Sequence, residues 1–190
     1  MSDTIIIDTG SGLSREETIK PLPLYDEHHP MLKAVMPEHD INMLPNPVIS
    51  KFARRLLATM HMYQGIGLSA NQCGIQERMF VIGDFVCINP KIVNHSANII
   101  KMKEGCLSYP GLYVTIDRYY EIDVEYYDVE GQLQQRHFEG VTAQAFQHEL
   151  DHMNGITFTS YVKPVALQLA RQKQQKIVKK VKRQTNGQHI

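Results

Sequence analysis

Residues 148–152 read His148-Glu149-Leu150-Asp151-His152, two histidines four apart with a glutamate beside the first. On an α-helix, side chains four apart lie next to one another on one face, so both imidazoles can reach a single metal ion. Glu149 is then placed to reach a water held by that ion. The segment fits a helix: Gly140 opens it, apolar residues recur to about Asn154, and Gly155 stands where a helix commonly stops. A solvated helix that happens to carry two histidines is the plain alternative.

A catalytic zinc-type site takes three protein ligands and keeps one position open. One class of HExxH enzymes takes its third ligand from a carboxylate well downstream, but no acidic residue follows Asp151. Another extends the pattern to HExxHxxGxxH, and this chain matches through Gly155 but carries Phe158 in place of the last histidine. The third ligand must therefore come from upstream. His28, His29 and His61 lie in polar company, and His95 and His137 flank strands, all positions that suit solvated histidines. Cys73 and Cys87 have apolar neighbours and suit small buried hydrophobes. Cys106 differs, because Gly105 and Pro110 bracket a short segment from which a thiolate can be presented to a helix-borne ion.

A chain of 190 residues with 43% hydrophobic and 21% charged content suits one domain with a sizeable core. Net charge is zero, which excludes whole-molecule attraction to nucleic acid or membrane. Residues 1–12 lack the charge pattern and apolar run of a signal peptide, and no stretch approaches the ~20 apolar residues of a membrane span. With three cysteines at no disulfide spacing, these features imply a cytoplasmic, reducing setting.

Residues 11–40 read as a loop-rich lead-in. Pro45-Asn46-Pro47 announces a helix over 48–63, with Val48, Phe52, Leu56, Leu57 and Met60 on its apolar face and Gly65 and Gly67 ending it. Residues 78–82 and 85–88 predict short strands closed by Asn89-Pro90. Residues 119–127 alternate, with Tyr120, Ile122, Val124 and Tyr126 on one side, and 133–138 return after a turn at Glu130-Gly131. Strands grouped between helices predict an α+β fold, with antiparallel strands packed around a central HExxH helix, an N-terminal helix and a basic C-terminal helical tail.

Three segments together resemble the peptide deformylases, which carry GxGLAAxQ, EGCLSxP and QHExDHxxG in that order. Here they read Gly65-Ile66-Gly67-Leu68-Ser69-Ala70-Asn71-Gln72, Glu104-Gly105-Cys106-Leu107-Ser108-Tyr109-Pro110 and Gln147-His148-Glu149-Leu150-Asp151-His152-Met153-Asn154-Gly155. The resemblance spans about residues 47–161. Ser69 replaces the motif's alanine, a change expected to alter only local packing. Tyr109 stands where Ile or Val is commoner, and the stretch after Pro110 lacks the arginine with which some members touch the peptide. The lead-in is similar to that of short phage-type members.

The resemblance implies removal of the formyl group from the N-terminal methionine of new polypeptides. It implies Cys106, His148 and His152 as ligands to one divalent ion, with water in the fourth position. Iron(II) is the family's usual metal, and zinc, nickel and cobalt also suit such a site. It makes Glu149 the general base, and Gln72 and the backbone N–H of Leu107 the oxyanion donors. Gly65, Ile66, Gly67, Tyr109 and Ala145 are expected to line the substrate pocket, with Val141 and Phe146 as further candidates. Glu104 is expected to support the cysteine loop. Gln147 and Asp151 are candidates for holding the ligand histidines, although Asp151 equally fits a solvated helix face.

A metallopeptidase using the same helix is the alternative enzyme, and a structural metal site would need a fourth protein ligand. The tail, 164–190, is set apart from a catalytic unit over 1–163. It carries Lys173, Lys176, Lys179, Lys180, Lys182 and Arg183 with no acid between them, and Val165, Leu169, Ile177 and Val181 at roughly helical spacing. It is either a terminal helix partly packed on the domain or a phosphate-contacting arm. Its position and charge are similar to the helix with which some cellular deformylases dock on the ribosome.

Overall fold

The computed structural model describes residues 19–186, with side-chain surroundings through residue 179. Residues 1–18, which include the start of the lead-in, residues 187–190 and the side chains from 180 onward lie outside the described residues. Helix α1 (Pro47–Met62) begins where the side-chain oxygen Oδ1 of Asn46 accepts from the Val48 N–H at 2.9 Å. Its buried stripe is Ile49, Ala53, Leu56 and Met60. Phe52 and Leu57 pack partly buried beside that stripe, so the expected apolar face holds except at Val48, which is 57% exposed.

Seven strands follow: β1 (Gly67–Ser69), β2 (Met79–Ile82), β3 (Phe85–His95), β4 (Ile99–Gly105), β5 (Tyr113–Tyr119), β6 (Glu121–Tyr127) and β7 (Leu133–Glu139). They form an antiparallel sheet in the order β1-β2-β3-β6-β7 and a separate antiparallel pair, β4-β5. Helix α2 (Gly140–Met153) packs against β1, β2, β6 and β7 of the large sheet and against β5 of the small one. The fold is thus α+β, and the helix carrying residues 148–152 lies between two sheets.

Asn89-Pro90 does not end β3. Asn89 takes a left-handed turn at φ 49° while its side chain bonds both the N–H and the carbonyl of His39 at 2.8 Å, and the register to β6 shifts between Ile88 and Lys91. The result is a bulge inside a longer strand. The strand expected from residue 119 begins only at Glu121, because Tyr119 closes β5. The pair β4-β5 was absent from the sequence reading. β4 is largely exposed, and the inward row of β5 runs Val114, Ile116 and then a buried arginine, Arg118, which hides the alternation.

Helix α3 (Pro164–Asn186) lies against the small sheet through Leu167 and Ala170, which join the cluster of Leu32, Tyr109, Leu112, Val114, Ile116 and Phe158. Arg171 pairs with Glu27, and the Gln174 side chain donates to the Pro110 carbonyl at 2.9 Å. The packed face is therefore 167, 170, 171 and 174, spaced as one helical stripe. Val165 and Leu169, two of the apolar residues at roughly helical spacing, are 69% and 54% exposed. Ile177 is also exposed, and Val181 lies beyond the described side chains. Among the described residues no helix is long and apolar enough to cross a membrane.

Candidate active site and metal centre

α2 is an unusual helix because it buries its polar residues. Gln147, His148, Glu149 and His152 lie inside together with Ala143, Phe146 and Met153. Buried polar groups require partners, and most of those found here come from outside the helix.

His148 is held from the small sheet. Its Nδ1 lies 3.0 Å from Oε2 of Glu104, at the end of β4. With Nδ1 committed to a carboxylate, Nε2 is the nitrogen left to bind an ion. Glu104 in turn receives a two-pronged contact from Arg118 of β5, at 2.7 and 3.1 Å. Arg118 also reaches Asp151 at 2.8 Å, and Asp151 accepts from the Tyr161 hydroxyl at 2.9 Å. Burial raises the Glu104 pKa, but the bonds from His148 and Arg118 outweigh it and hold the carboxyl at about 2. Glu104 thus touches His148 itself. Gln147 instead bonds the backbone of Tyr119 and Ala143, and Asp151 holds Arg118 rather than either imidazole.

Cys106 follows β4 directly, so the strand that orients His148 also delivers the thiol. Its Sγ lies 3.3 Å from Nε2 of His152, and one donor atom each from Cys106, His148 and His152 fall within 4.8 Å of one another. Among the described residues no other group of His, Cys, Asp or Glu converges this way. His29 stacks on Tyr25, His95 on Tyr119, and His137 pairs with Asp123. Cys73 and Cys87 are buried in the two larger apolar clusters.

The donor set fits a divalent ion. One thiolate and two imidazoles are a common tetrahedral combination, and ligand bonds of ~2.0–2.3 Å draw such donors to within about 4 Å of one another. Burial lowers the His148 pKa, yet Cys106 and Glu104 more than offset it and hold His148 well above its ordinary value. The site is thus rich in negative charge where a cation would sit. Burial first, and then the charge on His148, hold His152 well below its ordinary value.

Glu149 is buried against β1. An ideal Cβ built on Gly67 would lie 2.7 Å from Oε1 of Glu149, so only glycine permits this approach. Gly65 makes similar room for the Leu107 side chain, whose Cδ1 would be 2.9 Å away. The Ser69 hydroxyl donates to Oε2 of Glu149, so the serine does more than fill an alanine's space. Burial raises the Glu149 pKa, and the nearby His148 charge and the Ser69 hydrogen bond pull it back only in part. Gln72 accepts from the Ser69 N–H at 2.9 Å and donates from Nε2 to Cys106 Sγ at 3.2 Å and Ser108 Oγ at 3.0 Å.

These groups lie at the floor of an open pocket of about 640 Å³. Gly65, Ile66, Gly67, Gln72, Leu107, Tyr109, Val141, Ala145, His148 and Glu149 all border it. Phe146, expected there, is fully buried between Phe80 and Phe138 and belongs to the core. Gln144 faces the pocket and donates to the Lys103 carbonyl at 3.0 Å. Leu24, Tyr25 and Asp26 of the lead-in form part of the wall, a contribution that their sequence context did not signal.

The polypeptide deformylase family model matches residues 21–168. A peptide deformylase of Thermotoga maritima is 37% identical over 139 residues, covering 71% of this chain and 85% of its own. The solved peptide deformylase of Ehrlichia chaffeensis superposes with a TM-score of 0.76 at 31% identity, over 85% of this chain and 98% of its own. The actinonin-bound class I type b enzyme of Acinetobacter baumannii gives 0.73 at 29% identity, over 76% and 99%. With nearly the whole of each relative accounted for, the chain belongs to the polypeptide deformylase family.

Proposed function

We propose that Cys106, His148 and His152 hold one divalent metal ion and that Glu149 is the general base in hydrolysis of the N-formyl group from the N-terminal methionine of new polypeptides. The observation that carries the assignment is the convergence of three donor atoms within 4.8 Å, with a buried carboxylate one residue from a ligand and an open pocket above. When bound, the ion supplies Lewis acidity, polarising the formyl carbonyl and bringing the pKa of a water down towards ~7. Iron(II) is the metal the family resemblance favours.

Glu149 takes the proton released as the water's oxygen bonds to the formyl carbon, then returns it to the departing amine nitrogen. The products are formate and a free N-terminus. Gln72 Nε2 and the Leu107 N–H are assigned to the charge that develops on the formyl oxygen, each worth ~3–4 kcal/mol in such a role. Gln72 supports this by lying against Cys106 at the pocket floor. Ile66, Val141 and Ala145 offer apolar surface to the methionine side chain beside Gly65, Gly67 and Tyr109.

The division into a catalytic unit, 1–163, and a basic tail, 164–190, is one of labour. The first half of α3 packs on the pocket loop, while Lys173, Lys176 and Lys179 stand exposed on the second. These cations support contact with ribosomal phosphate.

The test of the assignment is formate release from a formyl-Met peptide by protein prepared without oxygen, together with metal content of wild type and Cys106→Ala. One ion per wild-type chain and loss of it in the variant are expected. Full metal retention by the variant removes Cys106 from the ligand set.

A further inference from the structure

β1 presents one face to Glu149. Gly67 and Ser69 are alternate residues on this strand, so their side-chain positions point the same way. One carboxylate oxygen of Glu149, Oε1, lies over Gly67, and the other, Oε2, takes the hydrogen of the Ser69 hydroxyl. Ser69 is fully buried and Glu149 is 4% exposed, so bulk water cannot replace that hydrogen bond. The same serine's N–H anchors Oε1 of Gln72 at 2.9 Å.

The last torsion of a glutamate side chain is broad, so packing of the methylenes alone leaves the plane of its carboxylate weakly defined. A hydrogen bond to one oxygen fixes that plane. The geometry points to Ser69 as a positioning residue for the general base: its hydroxyl occupies Oε2, sets the carboxylate plane and leaves Oε1 as the atom that accepts the proton. This rests on the proposed role of Glu149. The resembled motif usually has alanine at this position, and Ser69 couples one residue of β1 to the base through its side chain and to Gln72 through its backbone.

The test is a four-protein comparison of wild type, Ser69→Ala, Glu149→Gln and the double variant, each assayed for metal content, kcat and KM on a formyl-Met peptide. Ser69→Ala keeps the N–H that holds Gln72, so it isolates the hydroxyl, and alanine fits the same space. The expected result is kcat lower by about five- to tenfold with KM within about twofold and metal content unchanged, the pattern of a misaligned reacting group. In the Glu149→Gln background, adding Ser69→Ala should change the residual rate by less than about twofold. A normal kcat for Ser69→Ala beside an inactive Glu149→Gln overturns the role of Ser69 and leaves the base in place. Equal losses in both backgrounds, or a loss of metal in Ser69→Ala, also overturn it, because the serine then acts on packing or the ligands rather than through Glu149. Near-normal turnover by Glu149→Gln removes the base assignment itself and the inference with it.

Discussion

Arg118 and Glu104 form a buried two-pronged ion pair across the small sheet, at 2.7 and 3.1 Å, and the same carboxylate holds Nδ1 of His148. In the pair β4-β5, Glu104 stands opposite Val114 and Arg118 opposite Ile100, so the long Arg118 side chain runs along the sheet to reach the carboxylate. Arg118 is 6% exposed and also binds Asp151, which ties both ends of the 148–152 segment to one guanidinium.

Removing one partner of a buried pair strands the other charge, at a typical cost of ~3–5 kcal/mol. Arg118→Ala should therefore lower the urea midpoint markedly and weaken metal retention. Unchanged stability and metal content would show that the network is dispensable.

The pH dependence follows from Glu104. Its folded pKa, about 2, lies below the ordinary 4.5, so its contribution is present above pH 4.5 and is lost as pH falls from there towards 2. Glu104→Gln should be less stable than wild type at neutral pH, and the gap should narrow across that acid window. Urea midpoints at several pH values check this, and a gap independent of pH contradicts it.

Gly67→Ala places a methyl group against Glu149 Oε1. Displacing a reacting group by about 1 Å can cost ~10²-fold. We expect kcat to fall by roughly that factor with the metal retained, read from steady-state rates and metal analysis. Normal turnover would mean that the carboxylate moves without consequence.

Gln72→Leu removes the donors to Cys106 and Ser108. For a donor used mainly in the transition state, kcat should fall by ~10²-fold or more while KM changes little. An effect confined to KM would assign Gln72 to ground-state binding.

Thiol reactivity separates the three cysteines. Burial chiefly, with the Glu149 charge, pushes Cys73 up to about 12, and burial pushes Cys87 well above its ordinary value, whereas Cys106 borders the pocket. Metal-stripped native protein at pH 8 should be alkylated by iodoacetamide first at Cys106, as peptide mass mapping will show. Early labelling of Cys73 or Cys87 would contradict the packing described.

Truncation after Gln175 preserves the packed half of α3, including Arg171 and Gln174. Turnover on a short formyl-Met peptide should stay within about twofold, while ribosome co-sedimentation at low salt weakens, since association with phosphate releases bound counterions. Identical sedimentation of both proteins would remove the tail as an anchor.

Local patterns were legible wherever one periodicity governed a whole element. The stop at Gly155, the start at Asn46-Pro47 and the alternation of Ile122, Val124 and Tyr126 depend on neighbours within a few residues, and the helices and strands followed from them. The His148–His152 pair carried its own geometry, because a helix puts such residues side by side. The Gly105–Pro110 bracket sets Cys106 apart from the other cysteines and the scattered histidines, and the resemblance is what names it a ligand. Tertiary structure decided what depends on partners far along the chain. The inward row of β4 is only half-buried Ile100 and Met102 followed by the buried, charged Glu104, so the strand is defined by its pairing with β5. Arg118 is buried because Glu104 and Asp151 neutralise it, which no property of its own segment foretells. α3 turns residues 167, 170, 171 and 174 inward because its partners are Glu27, Tyr109 and Pro110, and a partly polar stripe gives a hydrophobic pattern little to follow. Ser69, read in isolation, differs from alanine by one oxygen. Folding brings that oxygen to a carboxylate eighty residues away, and the hydrogen bond between them is a property of the tertiary structure alone.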